Sequence, residues 1–83
     1  MSGTIRYWAA ARAAAGVAEE SYAADTLAAV LFDVRSRHDE RFARVLAGCS
    51  FLVDGAPVGT RHPDTVRLVD GATIEVLPPF AGG

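Results

Sequence analysis

Residues 25–38 read Asp-Thr-Leu-Ala-Ala-Val-Leu-Phe-Asp-Val-Arg-Ser-Arg-His. Leu27, Val30, Leu31 and Val34 recur at i, i+3, i+4 and i+7, one apolar stripe of an amphipathic helix. Asp33, Arg35 and Arg37 fall off that stripe. Asp25 is placed to cap the helix, its carboxylate accepting the unpaired amides of the first turn. The helix is expected to end near His38, with Phe42, Val45 and Leu46 adding a further apolar turn before Gly48 stops it.

On either side of this helix the pattern changes to strands. Thr4-Ile5-Arg6-Tyr7-Trp8 is rich in β-branched and aromatic residues, with Ile5 and Tyr7 on one face and Arg6 and Trp8 on the other. Ala9 to Ala15 is read as a loop or a single helical turn, and residues 17–24 as a weak strand returning antiparallel to the first. After the helix, Cys49-Ser50-Phe51-Leu52-Val53 is the clearest strand. Asp54-Gly55 suits a type I′ hairpin, in which both central residues need positive φ. Ala56-Pro57-Val58 is the return arm, confined to a sheet edge by Pro57. His62-Pro63-Asp64 forms a turn, and Val66 and Leu68 are expected to be buried. Asp70-Gly71 leads into Thr73-Ile74-Glu75-Val76-Leu77, with Ile74 and Val76 inward. Hairpin, helix and further strands make an α+β domain with one main helix on a mixed sheet of four or five strands. That is the ubiquitin-like β-grasp layout.

With 83 residues the chain is one small domain, and 51% apolar against 22% charged residues is a globular composition. Its net charge of −2 argues against nucleic acid, whose phosphates demand surplus positive charge. Arg35, Arg37, Arg41 and Arg44 are interleaved with Asp33, Asp39 and Glu40, the composition of a balanced helix face. One cysteine, Cys49, excludes an internal disulfide and a cysteine-rich zinc site, and is read as a small hydrophobe. The longest apolar run, Leu27 to Phe32, falls short of the roughly 20 residues a membrane span needs. A cytoplasmic protein without a membrane anchor is expected. All eight basic residues are arginine, so no lysine amine is available for acylation.

No phosphate loop, nucleophile elbow or metal-ligand spacing is found. His38, Asp39 and Glu40 fan around a helix end instead of converging, which reads as a solvated terminus. His62 reads as surface. The unusual segment is Leu77-Pro78-Pro79-Phe80-Ala81-Gly82-Gly83. Two prolines end a strand that should be central, because they cannot donate ladder bonds. The chain divides into a domain, 1–77, and an extended tail, 78–83, that spans on the order of 20 Å. Its glycine pair lets backbone thread a narrow channel and leaves the Gly83 α-carboxylate as the reactive group. A free carboxylate is a weak electrophile and needs activation, for instance by adenylation. No residue here suggests ATP binding, so activation falls to a partner.

These residues resemble the small subunits of molybdopterin synthase, the MoaD branch of the MoaD/ThiS ubiquitin-like sulfur carriers. The likeness spans Ile5-Arg6-Tyr7-Trp8-Ala9, Arg12, Gly16, the amphipathic helix, Val53-Asp54-Gly55, Asp70-Gly71 and the Pro-Pro-Phe-Ala-Gly-Gly ending. It implies a non-catalytic carrier. A MoeB-type E1-like adenylyltransferase uses ATP to activate Gly83, and a sulfur donor converts it to a thiocarboxylate. A MoaE-type large subunit, in a heterotetramer, then receives the tail and passes sulfur to cyclic pyranopterin monophosphate. Sulfur is carried covalently, with no bound cofactor and no metal. The resemblance assigns Gly82 and Gly83 to the reacting terminus, and Trp8, Leu77, Pro78, Pro79, Phe80 and Ala81 to partner contact. Related carriers serve thiazole and cysteine synthesis. A ubiquitin-like protein modifier and a passive binding module are the other readings the sequence leaves open.

Overall fold

The computed structural model describes residues 1–79. The first strand, β1 (Ser2–Tyr7), is followed by α1 (Ala9–Ala15), β2 (Glu19–Ala23), α2 (Leu27–Arg37), α3 (Glu40–Ala47), β3 (Ser50–Val53), β4 (Ala56–Pro57), a 3₁₀ turn at Pro63–Thr65 and β5 (Thr73–Leu77). The strands form one mixed sheet in the order β2-β1-β5-β3-β4. β1 and β5 run parallel at its centre, with Ile5 opposite Ile74 and Tyr7 opposite Val76, and every other pair is antiparallel. A central strand reached by a long crossover, with helices packed against the sheet, is the ubiquitin-like β-grasp.

The alternation read in β1 and β5 holds. Ile5, Tyr7, Ile74 and Val76 are buried with Tyr22 of β2, and the α2 stripe Leu27, Val30, Leu31 and Val34 covers them in a single core. Asp54 and Gly55 have φ of 48° and 83°, the pair of positive values that a type I′ turn needs. The turn is tied to the sheet centre as well, because Asp54 Oδ1 accepts from Thr73 N (2.9 Å). Val66 and Leu68 are buried, and both belong to a connection that closes over the start of α2. Leu27 N donates to Val66 O (3.0 Å) and Leu68 N to Asp25 O (2.9 Å).

Local expectations needed correction in four places. Ala9–Ala15 is a two-turn helix, held by burial of Ala11 and ended by Gly16 in the left-handed region (φ 77°), whose N–H bonds Arg12 O. Thr26, not Asp25, caps α2, with Oγ1 accepting from Ala29 N (3.2 Å). A bridge between Thr26 and Arg67 holds the Thr26 backbone extended, which moves the cap one residue along, and Asp25 pairs with Arg67 instead (3.7 Å). The apolar turn around Phe42 is a separate helix, α3, capped by Asp39 accepting from Phe42 N (3.0 Å). One main helix is therefore accompanied by two shorter ones. His38 is no solvated terminus. It turns inward, its ring 4.5 Å from that of Phe42, and its side chain is only 15% exposed.

Gly3 carries a constraint that no pattern revealed. A Cβ there would lie 2.2 Å from Ala72 O and 2.5 Å from the Tyr22 hydroxyl, which itself donates to Ala72 O (2.7 Å). Backbone and a buried, hydrogen-bonded ring cannot both retreat. Gly3→Ala is expected to cost about 2–3 kcal/mol in urea unfolding. The Tyr22→Phe variant, losing one buried hydrogen bond, should cost about 1 kcal/mol.

Candidate functional site on the open sheet face

The side chains of β1 and β5 that do not enter the core stand on the other face of the sheet. One row crosses all five strands: Glu19, Arg6, Glu75, Leu52 and Pro57 are successive partners in register. Trp8 sits just past the end of β1, and its backbone N–H donates to Val76 O (3.2 Å), which carries the parallel register on to Leu77. The indole is oriented on two sides. Its Nε1 donates to Glu75 Oε1 (3.2 Å), and the Arg6 guanidinium lies 5.3 Å from the ring centroid, within cation–π range. Arg6 is itself held by Glu19 (3.7 Å).

Trp8 is 40% exposed. Leu77 and Leu52 are half-buried on the same face, and neither belongs to the core cluster of the described residues. Pro78 is buried and Pro79 exposed at the point where β5 ends. The structure thus brings together Trp8, Leu77, Pro78 and Pro79 at one end of the two central strands. Phe80, Ala81, Gly82 and Gly83, the other residues assigned to partner contact and to the reacting terminus, lie outside the described residues. Sequence reasoning missed Arg6 and Glu75 as the groups that hold the indole, since their meeting depends on the parallel register. It also missed Ala9, which has φ of 48° directly after Trp8, a left-handed conformation that alanine adopts at a cost of about 1 kcal/mol.

A profile described as ThiS family matches residues 5–83. The chain belongs to the ThiS family. Its members are small ubiquitin-like sulfur carriers, and the extent of the match includes both Trp8 and the Gly-Gly ending. No curated protein sequence matches the chain. Among solved structures it is similar to the small archaeal modifier protein 1 of Methanosarcina acetivorans, at 20% identity, TM-score 0.84, covering 99% of this chain and 96% of that one. It is similar to a chain in the complex of subunits 1 and 2 of molybdopterin-converting factor from Helicobacter pylori, at 21% identity, TM-score 0.69, covering 100% of both. It is also similar to a chain in the BexX/CysO complex of Amycolatopsis orientalis, at 24% identity, TM-score 0.77, covering 96% of this chain and 98% of that one. At these identities the likeness concerns the fold.

A second set of titratable groups in this ThiS-family chain, centred on Glu20, fastens its elements together. Glu20 accepts from the Tyr7 hydroxyl (2.7 Å) and lies 2.7 Å from His38 Nε2, with Arg37 at 3.7 Å. The network joins β1, β2 and the α2–α3 joint. Burial, then the Glu20 hydrogen bond and charge, push the Tyr7 hydroxyl far above the usual phenol range. Burial alone would raise the Glu20 carboxyl. Hydrogen bonds from His38 and Tyr7, aided by the charges of His38 and Arg37, outweigh it and hold Glu20 below the usual carboxylate value. Cys49 is half-buried, its Sγ 3.1 Å from Val45 O, and burial raises its thiol, the opposite of an activated nucleophile. Among the described residues no group of three or more His, Cys, Asp and Glu could hold a metal ion, and no helix is long and apolar enough to cross a membrane.

A carboxylate with a depressed folded-state pKa stabilises the fold above its unfolded value, and that contribution disappears as pH falls through the folded value. Glu20→Gln is therefore expected to lose about 1–2 kcal/mol at neutral pH, where the hydrogen bonds are charge-assisted. The gap between the two proteins should narrow in urea melts taken from about pH 5 downward, as Glu20 takes up its proton.

Proposed function

We propose that the chain is the small subunit of molybdopterin synthase and works in the cytoplasm as a non-catalytic carrier. The supporting observation is the position of the Trp8–Leu77 surface. It is apolar, unpaired and oriented by Arg6 and Glu75, and it adjoins the point where β5 passes into Pro-Pro-Phe-Ala-Gly-Gly. A large subunit of the MoaE type docks on this surface and receives the tail, two carriers and two large subunits forming the heterotetramer. Trp8 supplies the rigid aromatic anchor favoured at the centre of interfaces.

The chemistry belongs to Gly83 and its partners. The carboxylate attacks the α-phosphorus of ATP in a MoeB-type adenylyltransferase, forming a mixed anhydride and releasing pyrophosphate. A sulfur donor of the persulfide class then displaces AMP at the Gly83 carbonyl, and cleavage of the sulfur–sulfur bond by a thiol leaves the thiocarboxylate. In the large subunit that sulfur attacks a side-chain carbon of cyclic pyranopterin monophosphate and displaces the oxygen substituent there, which leaves with a proton, so that the pterin is held to Gly83 as a thioester. Water releases Gly83 as the carboxylate, ready for another cycle. Gly82 and Gly83 admit the backbone to both active sites because they lack side chains, and Pro78, Pro79, Phe80 and Ala81 fix its entry. No soluble cofactor or metal resides on the chain.

Incubation with a MoeB-type enzyme, ATP and a persulfide donor is expected to raise the intact mass by the difference between one sulfur and one oxygen atom. Adding a MoaE-type subunit and cyclic pyranopterin monophosphate should then yield molybdopterin, and deletion of Gly83 should abolish both results without unfolding the domain. An unchanged mass overturns the carrier reading, whereas thiocarboxylation without molybdopterin assigns the carrier to another sulfur pathway. Trp8→Ala is expected to weaken binding of the large subunit by about 2 kcal/mol or more. Its own unfolding free energy should change by less than about 1 kcal/mol, because the ring is half in solvent.

A further inference from the structure

Both lateral edges of the sheet end in backbone carbonyls that an arginine side chain occupies. At β4, Val58 N donates to Phe51 O (3.0 Å), so the alternation of an antiparallel ladder turns the backbone of Pro57 outward. Proline has no N–H to offer there, and its carbonyl accepts from Arg61 Nη2 (3.2 Å), while Arg61 Nε bonds Val58 O (3.1 Å). At β2, Tyr7 N donates to Ala18 O (2.8 Å). The same alternation directs Glu20 and Tyr22 toward β1 and turns the N–H and C=O groups of Glu19, Ser21 and Ala23 outward. Ser21 O, the middle acceptor of the three, receives Arg37 Nη1 at 2.8 Å. Arg37 is anchored in turn by an ion pair with Asp33, one helical turn back, and by Glu20 at 3.7 Å.

We infer that Arg37 is a guard on the β2 edge, and that the edge it covers is complementary to the same edge of a second copy of this chain. The β4 edge is closed by Pro57 even without its arginine. β2 has no proline, so it depends on the Arg37 side chain. An antiparallel approach about a two-fold axis at Ser21 sets Ser21 against Ser21 of the copy, and Glu19 against Ala23. No like charges face each other in that register, and the outward groups of three residues on each strand form about six ladder bonds. The guanidinium stands where the incoming N–H would sit. An incoming strand must therefore displace it and break the bond to Ser21 O before pairing begins. This inference is independent of the sulfur chemistry proposed above, since it concerns a different edge and different residues.

The test is the association state of the full chain by sedimentation equilibrium at millimolar concentration. The unsubstituted protein is expected to stay monomeric. Arg37→Met should self-associate at least about tenfold more tightly, shifting toward the dimer mass. Asp33→Ala, which leaves the guanidinium in place with Glu20 as its remaining ionic anchor, should shift in the same direction by less. Adding Ser21→Pro to Arg37→Met should restore the monomer, because that position turns its N–H outward and proline there breaks no bond to β1. Monomeric Arg37→Met overturns the inference. So does a dimer that Ser21→Pro does not dissolve, or an unsubstituted chain that pairs as tightly as the variant. Should Arg37→Met fail to fold, Asp33→Ala decides the outcome, and its persistence as a monomer counts against the guard.

Discussion

The parallel pairing of β1 with β5 is the constraint on which the remaining structure depends. It joins the two ends of the domain, placing Ile5 beside Ile74 and Tyr7 beside Val76 at the centre of the sheet. Chain closure over this separation costs entropy before any ladder bond is gained, and only burial of the joined strands under a helix layer offsets it. The α2 stripe supplies much of that layer, along with Phe42 and Leu46 of α3 and Ala11 of α1. The close approach of Gly3 to Ala72 lies at the start of the same pairing, so the tightest packing is found where the long connection closes.

The same pairing gives the sheet two faces of different character. On the covered face, Tyr7, Glu20, His38 and Arg37 form one connected polar set in which the carboxylate is shared among the others, and the Tyr22 hydroxyl is satisfied separately by Ala72 O. No buried side-chain polar atom among the described residues lacks a partner. That network fastens the β1–β2 hairpin to the joint between α2 and α3. On the uncovered face, Arg6 and Glu75 are spent on orienting a tryptophan that stays half in solvent. An indole held on two sides loses little rotamer freedom when a partner covers it, which favours its use as an anchor.

The lateral edges show the same economy of residue types. With no lysine in the chain, the usual cationic protection of exposed strands falls to arginine, whose planar fork can bond a carbonyl and a carboxylate together. Arg37 does this between Ser21 and Asp33, and Arg61 between two carbonyls of the β4 region. A sheet whose edges are occupied leaves its uncovered face as the surface on which another protein can settle.

Much of this was legible in the chain itself. The 3.6-residue stripe of α2, the alternation of β1 and β5 and the Asp54-Gly55 turn are local properties, each set by the covalent geometry of a few successive residues. The Pro-Pro-Phe-Ala-Gly-Gly ending suggested a carrier through its reactive terminal carboxylate; its last four residues lie outside the described ones, and the family match agrees at the level of a sulfur carrier. What the sequence could not reveal were the features that depend on residues far apart meeting in one register. Thr26 displaced Asp25 as the cap because Arg67 pairs with it. His38 turned inward because Glu20 and Phe42 were there to receive it, and Ala9–Ala15 became a helix because Ala11 found a core. Trp8 was visible as an outward residue, but its hold by Arg6 and Glu75 came only from strands whose pairing joins opposite ends of the domain. Periodicity records which way a side chain points, whereas tertiary structure alone decides what stands in front of it.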